Sequence, residues 1–331
     1  MEPADIGSEF ETDIMIIGAG PTGLYGAYCA GFRGLRTVVV DALPQVGGQI
    51  SALYPEKQVR DVAGVPSLTG RALVQALHTQ AATYEPVWLL GRQAVGLRRR
   101  ADGRPVVDLS DGTSVTTGAV VLTAGIGTPT PRPLPGCEEW IGRGLSYFVP
   151  DLSAHTGHEV IVLGGGDSAV DWALALEPLA KSVTLVHRRA AFRAHAASLA
   201  SARASDIAII TDAHVLSLAG ADRVERVHLR RRGEADSTLP ADSVIAALGF
   251  VSDLGPLAGW GLELRGRSVL VDQRMRTNLP GVYAAGDLTE YDGKVRLMSV
   301  GFGEVATAVN NAAVELDPGL PLFPGHSTEA A

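Results

Sequence analysis

The 331-residue sequence contains very little cysteine. Its two cysteines, Cys29 and Cys137, are too few for a disulfide framework and too far apart for a C-x-x-C redox pair or a zinc knuckle. We therefore expect neither a metal site nor a redox dithiol. So low a cysteine content is typical of a reducing compartment, and we expect a cytoplasmic location.

The sequence also lacks an excess of positive charge and any long apolar run. Its 28 Lys and Arg residues against 36 Asp and Glu residues give a formal net charge of −8, which argues against a general nucleic-acid-binding protein. No apolar stretch approaches the ~20 residues that cross a bilayer, and the acidic N-terminal segment is neither a signal peptide nor a transit peptide. We expect a soluble chain that binds neither nucleic acid nor membrane.

Glycine, by contrast, is abundant, with 39 residues. The first glycine cluster, GAGPTG, follows the apolar run IMII and precedes small residues at helical spacing, a second β-rich run and an aspartate. This order predicts a strand, a tight turn, a helix and a strand that ends in an acid. Such a turn places a pyrophosphate at the helix N-terminus and a ribose hydroxyl on the acid, although an ordinary glycine-rich turn is the alternative. The candidate residues are Gly18, Gly20, Thr22, Gly23 and Asp41.

The same pattern recurs in the segment EVIVLGGGDSAVDWALALEPLAKSVTLVHRR. Its candidate turn residues are Gly164, Gly166, Asp167 and Ser168. Asp41 stands 23 positions after Gly18, and His187 stands 23 positions after Gly164. The two copies therefore place an acid and a basic run at the same offset.

The basic run in the second copy contains Arg188 and Arg189, with Arg193 four residues further on. A carboxylate suits a free 2′-hydroxyl and repels a 2′-phosphate, whereas arginines bind that phosphate through charge-assisted hydrogen bonds. The second copy is therefore predicted to bind NADP(H), and the first a dinucleotide without a 2′-phosphate. A solvated basic strand end is the alternative for the second.

A third motif, TNLPGVYAAGD, ends in Gly286-Asp287 and precedes a helix-like segment. It is similar to the Gly-Asp ending of flavoproteins with two dinucleotide sites, in which the Asp binds the ribityl and pyrophosphate region of the flavin. By that resemblance the first site holds FAD, with Asp287 as a ligand.

The order of the three motifs predicts an α/β fold with two Rossmann-like, three-layer ββα domains. The FAD-binding domain is expected to be discontinuous, at residues 1–127 and 281–331, with the NADPH-binding domain inserted at residues 128–280. Proline-rich segments mark the two expected crossings, at residues 128–136 and 277–281.

With these motifs the chain resembles the thioredoxin-reductase-like (type 2) ferredoxin/flavodoxin–NADP⁺ reductases over residues 12–328. The segments that carry the resemblance are LPQVGGQISALYPEKQVRDVAGVP, GGGDSAVDWAL, HRRAAFRAH and FPGHS. The resemblance implies flavin stacking by Tyr54 and His326, and further FAD contacts by Gln49, Val95, Pro129 and Ser327. Two positions depart from the family, which usually has an aromatic residue in place of Pro129 and Glu in place of Asp41.

The resemblance implies a homodimeric ferredoxin–NADP⁺ reductase that passes electrons from NADPH through FAD to ferredoxin or flavodoxin. No protein side chain is expected to act as a catalytic acid or base, because the cofactors carry the chemistry. Alternatives are an NADPH-dependent flavoprotein oxidase or diaphorase, a reductase of another small electron carrier, and a flavin-binding sensor without activity.

A dithiol reductase of the thioredoxin reductase type is a further alternative, and the segment GRGLSYFVPD speaks against it. In thioredoxin reductases the same surroundings carry the redox dithiol, whereas this chain has Phe148 and Asp151 in the places of the two cysteines.

Overall fold

The computed structural model describes residues 9–125, 127, 130–251, 253–326 and 328. The expected FAD contacts Pro129 and Ser327 lie outside the described residues. The chain divides into two compact units. Unit 1 comprises Met1–Ala52, Gln58–Pro129 and Ser252–Ala331, and unit 2 comprises Leu53–Lys57 and Thr130–Val251.

The described residues form six α-helices, four short 3₁₀ helices and 22 strands. The helices are α1 Pro21–Phe32, α2 Gly48–Leu53, α3 Gly70–Ala82, α4 Asp167–Leu176, α5 Ala196–Ala204 and α6 Met298–Leu316. Short 3₁₀ helices span Glu138–Trp140, Leu152–His155, Gly255–Gly259 and Gly286–Leu288. Of the helices that the structure describes, none has both the length and the apolar character needed to cross a membrane.

The strands are numbered in chain order. The first eleven are β1 Glu9–Ile17, β2 Thr37–Asp41, β3 Gln58–Val59, β4 Leu68–Thr69, β5 Val87–Leu90, β6 Ala94–Arg99, β7 Pro105–Leu109, β8 Ser114–Leu122, β9 Thr130–Pro131, β10 Leu145–Ser146 and β11 Glu159–Leu163. The others are β12 Ser182–Val186, β13 Ala208–Ile210, β14 Ala213–Ala219, β15 Arg226–Arg231, β16 Ser237–Pro240, β17 Ser243–Ala246, β18 Phe250–Val251, β19 Leu264–Arg265, β20 Ser268–Leu270, β21 Val282–Ala284 and β22 Thr289–Glu290.

Unit 1 is built on a mixed sheet with the strand order β5-β2-β1-β8-β7-β6, in which β21 also pairs with β8. The β2–β1–β8–β21 core is parallel. Its buried stretches are continuously apolar, as expected for a sheet covered on both faces, and they are residues 14–17, 38–40, 119–122 and 282–284. Helix α1 packs closely on this sheet, since a Cβ on Gly26 would lie 2.7 Å from Val305 of α6 and 3.3 Å from Ile16 of β1.

Unit 2 consists of three layers. A parallel sheet with the order β10-β17-β11-β12-β13 forms the middle layer. One face packs on the antiparallel sheet β14-β15-β16 through residues such as Ile161 and Leu229, and the other packs on α4 and α5 through residues such as Val162 and Ala202. The expected α/β class with Rossmann-like units, the second inserted into the first, is confirmed.

The long segment of unit 2 ends at Val251, so the second crossing lies earlier than the expected residues 277–281. Strand β9 pairs with β18, so the first and last strands of the segment Thr130–Val251 lie side by side in unit 2. The residues after the second crossing belong to unit 1 because Leu257, Leu262 and Val269 join its apolar cluster and β20 pairs with β22.

Candidate nucleotide-binding sites

The first glycine-rich turn connects β1 to α1 in unit 1. Gly18 has a φ of +113°, and a Cβ there would lie 2.5 Å from the carbonyl oxygen of Thr123. A Cβ on Gly23 would lie 1.8 Å from the carbonyl oxygen of Gly18. No side chain fits either position, because both contacts are with backbone. The turn can close only with glycine at both places, as the motif predicts.

Asp41, at the end of β2, reaches back to this turn. Its two carboxylate oxygens accept hydrogen bonds from the backbone N–H groups of Ala19, at 2.6 Å, and Leu43, at 2.8 Å. Burial raises the pKa of Asp41, and the two backbone hydrogen bonds oppose that shift. Each oxygen keeps a lone pair for a further donor, so the carboxylate can hold a ribose hydroxyl.

The N-terminus of α1 faces open space at Gly20, the helix N-cap. The nearest neighbouring atom to a Cβ on Gly20 would be the Cα of Gly48, at 4.0 Å. The first N–H groups of a helix have no partner within the helix, so this end favours an anion. Gln49 lies near the same turn, because its Nε2 would be 2.8 Å from a Cβ on Gly125. These residues fit the phosphates of a dinucleotide.

The Gly286-Asp287 segment lies beside the first turn. A Cβ on Gly286 or on Gly301 would come within 2.9 Å and 2.7 Å, respectively, of the hydroxyl oxygen of Thr22 in α1. Asp287 is accessible to solvent, while Gly286 and Leu288 on either side are buried. The surrounding protein desolvates its carboxyl group enough to raise the pKa. The structure thus brings the first and third motifs together.

The second glycine-rich turn connects β11 to α4 in unit 2. A Cβ on Gly164 would lie 2.5 Å from the carbonyl oxygen of Ala247, so this position also requires glycine. A Cβ on Gly165 would lie 2.2 Å from the imidazole of His187. Gly166 is the N-cap of α4, and its Cβ position is open. The side chain of Asp167 accepts a hydrogen bond from the N–H of His195 at 2.8 Å.

The residues 23 positions after each turn contact the same place in that turn. Asp41 hydrogen-bonds Ala19, the second residue of the first turn, and the ring of His187 lies against Gly165, the second residue of the second turn. The motif places Gly165 in the second turn, but the sequence alone gave no separate role to Gly165 or to Thr123. The glycines themselves are the signal for both residues. The buried ring of His187 leaves no room for a Cβ on Gly165, and the backbone of Thr123, directly after β8, leaves no room for a Cβ on Gly18.

The three arginines predicted for the second site lie near this turn, because their charges act on His187, whose ring contacts Gly165. Arg188, Arg189 and Arg193 are exposed, and the backbone N–H of Arg193 donates to the carbonyl oxygen of Gly165 at 2.7 Å. Burial lowers the pKa of His187, and the three guanidinium charges lower it further. In the part of the chain that the structure describes, none of the three pairs with a carboxylate. A positive cluster without acidic partners at a helix N-terminus fits a 2′-phosphate.

The remaining predicted contacts occupy other places. Tyr54 lies in the segment Leu53–Lys57, which belongs to unit 2, and its ring packs against the apolar cluster around α4. Val95 lies on β6 with 41% of its surface exposed. His326 contacts the ring of Phe323, with 5.1 Å between the ring centroids. The flavin contacts of these three residues stay predictions.

Both cysteines are free and buried. Burial raises the pKa of the Cys29 thiol to about 12 and also raises the pKa of Cys137. Phe148 stacks on Phe250, with 5.4 Å between the ring centroids and 4° between the ring planes. Asp151 accepts hydrogen bonds from the backbone N–H and hydroxyl of Ser153. The two places that the resemblance matches to the redox dithiol of thioredoxin reductases thus hold a stacked aromatic ring and a capping carboxylate.

Two α/β units, each with a closed glycine turn between a parallel strand and a helix, define the class of proteins with paired Rossmann-like units. The chain belongs to the pyridine nucleotide-disulphide oxidoreductase family, whose sequence profile matches residues 12–312. Membership implies an oxidoreductase that uses a pyridine nucleotide, and it confirms the family resemblance that the motifs indicated.

Known relatives agree with this assignment. The chain is 55% identical to a protein of Nocardioides sp. (strain ATCC BAA-499 / JS614) named ferredoxin–NADP reductase, over 97% of this chain and 98% of that protein. It is 57% identical to a protein of the same name from Salinispora tropica, over 96% of this chain and 99% of that protein. Among solved structures, it is similar to T. acidophilum thioredoxin reductase, with a TM-score of 0.81, 25% identity and coverage of 92% and 98%.

The two glycines of the first turn allow a direct test of the turn geometry. Gly23→Ala should lower the free energy of unfolding of the cofactor-free chain by about 1–3 kcal/mol or more, because its Cβ meets immobile backbone. Gly20→Ala should cost no more than about 1 kcal/mol, the scale of an N-cap change, because its Cβ position is open. Urea unfolding measures both. Equal losses would contradict the close approach of Gly23 to Gly18.

Proposed function

We propose that this protein is an FAD-dependent NADPH:ferredoxin/flavodoxin oxidoreductase, with FAD in unit 1 and NADP(H) in unit 2. The observation that carries the proposal is the opposite charge at equivalent places in the two turns. Asp41 contacts the first turn. His187 contacts the second turn, and the three arginines near it have no carboxylate partner among the described residues. The names of the relatives support the same activity.

In unit 1 the chain's own residues bind and orient the dinucleotide. The open N-terminus of α1 at Gly20 accommodates the pyrophosphate, and Asp41 accepts a ribose hydroxyl. Asp287, Thr22 and Gln49 lie around the same turn and are proposed to hold the flavin end. Bound FAD would supply the redox chemistry, since it can take a hydride and release electrons one at a time.

In unit 2 the chain selects the pyridine nucleotide. The open N-terminus of α4, with Gly166, Asp167 and Ser168, is proposed to bind the pyrophosphate, and Arg188, Arg189 and Arg193 the 2′-phosphate. Since no described side chain has to move a proton between the two cofactors, the protein's contribution is position and orientation.

The electron acceptor is proposed to be ferredoxin or flavodoxin. The buried thiols and the Phe148–Phe250 stack provide no dithiol relay, so a bound flavin would have to pass its electrons directly to a docked carrier. A homodimer and a cytoplasmic location also stay proposals, the first from the family resemblance and the second from the low cysteine content.

Removing a single arginine should separate NADPH from NADH. Arg188→Ala or Arg189→Ala should weaken NADPH binding by roughly 1.5–3 kcal/mol, the range for a lost charged hydrogen bond, and leave NADH binding nearly unchanged. Equilibrium titration of each nucleotide measures this. Arg230→Ala is the matched control in unit 2, because Arg230 is exposed and pairs with Asp236. Equal losses for both nucleotides in the Arg188 and Arg189 variants would refute the 2′-phosphate assignment.

The function itself is tested on the purified protein. We expect a yellow protein that releases FAD on denaturation, bleaches faster with NADPH than with NADH, and then reduces ferredoxin or flavodoxin. A double Cys29→Ser/Cys137→Ser variant should keep this activity, because neither thiol takes part. FMN or no flavin would refute the assignment of unit 1. Peroxide formed as fast as any protein acceptor is reduced would indicate an oxidase, and activity lost in the double variant would indicate a dithiol enzyme.

A further inference from the structure

A buried ion pair lies beside the Gly286-Asp287 segment, and the proposed mechanism does not use it. The ammonium of Lys294 is 2.5 Å from the carboxylate of Glu304, and the two side chains are 2% and 4% exposed. Lys294 is in the loop between β22 and α6, and Glu304 is in the second turn of α6. Burying two charges carries a desolvation cost, so a pair at this depth needs further hydrogen bonds.

Those hydrogen bonds converge on one residue, Gly286. The backbone N–H of Gly286 donates to Glu304 Oε2 at 2.7 Å, and Lys294 Nζ donates to the carbonyl oxygen of Gly286 at 2.9 Å. The hydroxyl of Thr289 donates to the same carbonyl oxygen at 2.8 Å. The pair therefore holds Gly286 through both of its backbone polar groups.

Tyr291 completes the set of partners. Its hydroxyl donates to Glu304 Oε1 at 2.6 Å. Burial and this hydrogen bond to Glu304 raise the pKa of Tyr291 to about 12, so the phenol remains a donor at neutral pH. Glu304 Oε2 also lies 3.3 Å from the hydroxyl of Thr289, whose single proton is shared between Glu304 and the carbonyl oxygen of Gly286. The N–H of Gly286, the ammonium of Lys294 and the hydroxyl of Tyr291 all donate to the carboxylate, as an ionised carboxylate requires.

The conformation of Gly286 decides where Asp287 points. Gly286 has a φ of +80°, which a residue with a side chain rarely adopts, and its Cα lies close to Gly301 in α6 and to Thr22 in α1. Because the backbone has only two soft dihedrals per residue, the φ and ψ of Gly286 set the direction in which the chain continues to Asp287. Holding both polar groups of Gly286 therefore fixes Asp287 relative to the first glycine turn.

The pair also sets the charge next to that turn. Desolvation raises the pKa of Asp287, the cation of Lys294 is the largest influence that lowers it, and the charge of Glu304 raises it. The two charges of the pair thus act on Asp287 in opposite directions. Neither is screened by water as a surface charge would be.

We propose that Lys294 and Glu304 are positioning residues, which preset the Gly286-Asp287 segment for the flavin nucleotide and balance the charge beside it. The inference rests on the proposed FAD site of unit 1. It predicts two effects that packing alone would not produce together. Loss of the pair weakens FAD binding, and loss of either single charge shifts the flavin potential in a direction set by the sign of that charge.

The test uses the full chain in three variants, which are Glu304→Gln, Lys294→Met and the double variant. Each should raise the dissociation constant for FAD at least tenfold, measured by titrating the cofactor-free chain and following flavin fluorescence. Glu304→Gln leaves a cation and should raise the flavin midpoint potential, because reduction adds negative charge. Lys294→Met leaves an anion and should lower it. The double variant should keep the potential of the unsubstituted protein.

Asp292→Asn is the control, because Asp292 lies in the same loop but is 97% exposed. It should change neither the affinity nor the potential, as expected for an exposed ion pair. If a single variant fails to fold, the double variant decides, since it leaves no unpaired buried charge. FAD affinity of the double variant equal to that of the unsubstituted protein would overturn the proposal.

The measured shifts in flavin midpoint potential distinguish a positioning role of the pair from a purely structural role. Shifts of the same sign in both single variants, or no shift in either, would overturn the charge-balancing part of the proposal. A failure of the proposed function is distinguishable, because the unsubstituted protein would then bind no FAD in the same titration.

Discussion

The structure depends on one close approach of backbone to backbone, where β1 passes into α1. The carbonyl oxygen of Gly18 occupies the space that a Cβ on Gly23 would need, at 1.8 Å. This approach brings the N-terminus of α1 to the carboxyl edge of the parallel sheet, where β2 ends at Asp41 and β21 leads into Gly286. An anion-favouring helix end and two acidic strand ends therefore meet at one place, which is where ligands of open α/β sheets bind.

The second unit repeats the geometry with different chemistry. In both units the residue 23 positions after the first glycine of the turn contacts the second residue of that turn. In unit 1 the carboxylate of Asp41 accepts a hydrogen bond from the N–H of Ala19, and in unit 2 the ring of His187 lies against Gly165. The imidazole needs Gly165, whereas the carboxylate tolerates Ala19. The exchange of an acid for a ring followed by arginines reverses the charge at the site without altering the fold. Nucleotide choice can thus differ between two turns of the same geometry.

The sequence predicted what depends on neighbouring residues and missed what depends on distant ones. The turns, their helices and the equal offsets of Asp41 and His187 are local features, and periodicity and glycine spacing reveal them. The second crossing was expected at a proline-rich segment. The structure places this crossing earlier, because β20 pairs with β22 and Leu257 packs into the apolar cluster of unit 1. Both contacts join residues that are not neighbours in the chain. The role of Glu304 could not be predicted either, because its partners come into contact with it only when the loop before α6 folds back on the helix.

The loss of a thiol relay changes what the rest of the chain must provide. A dithiol enzyme stores an electron pair on sulfur, so its final acceptor need not approach the cofactor. Here the thiols are buried and their raised pKa values disfavour the thiolate, the form that reacts. The Phe148–Phe250 stack cannot store an electron pair. Under the proposed function, the cofactor in unit 1 is then the last carrier within the protein, so its potential must suit the acceptor directly. This gives a buried charge pair beside Asp287 a functional consequence that it would not have in a chain with an intervening dithiol.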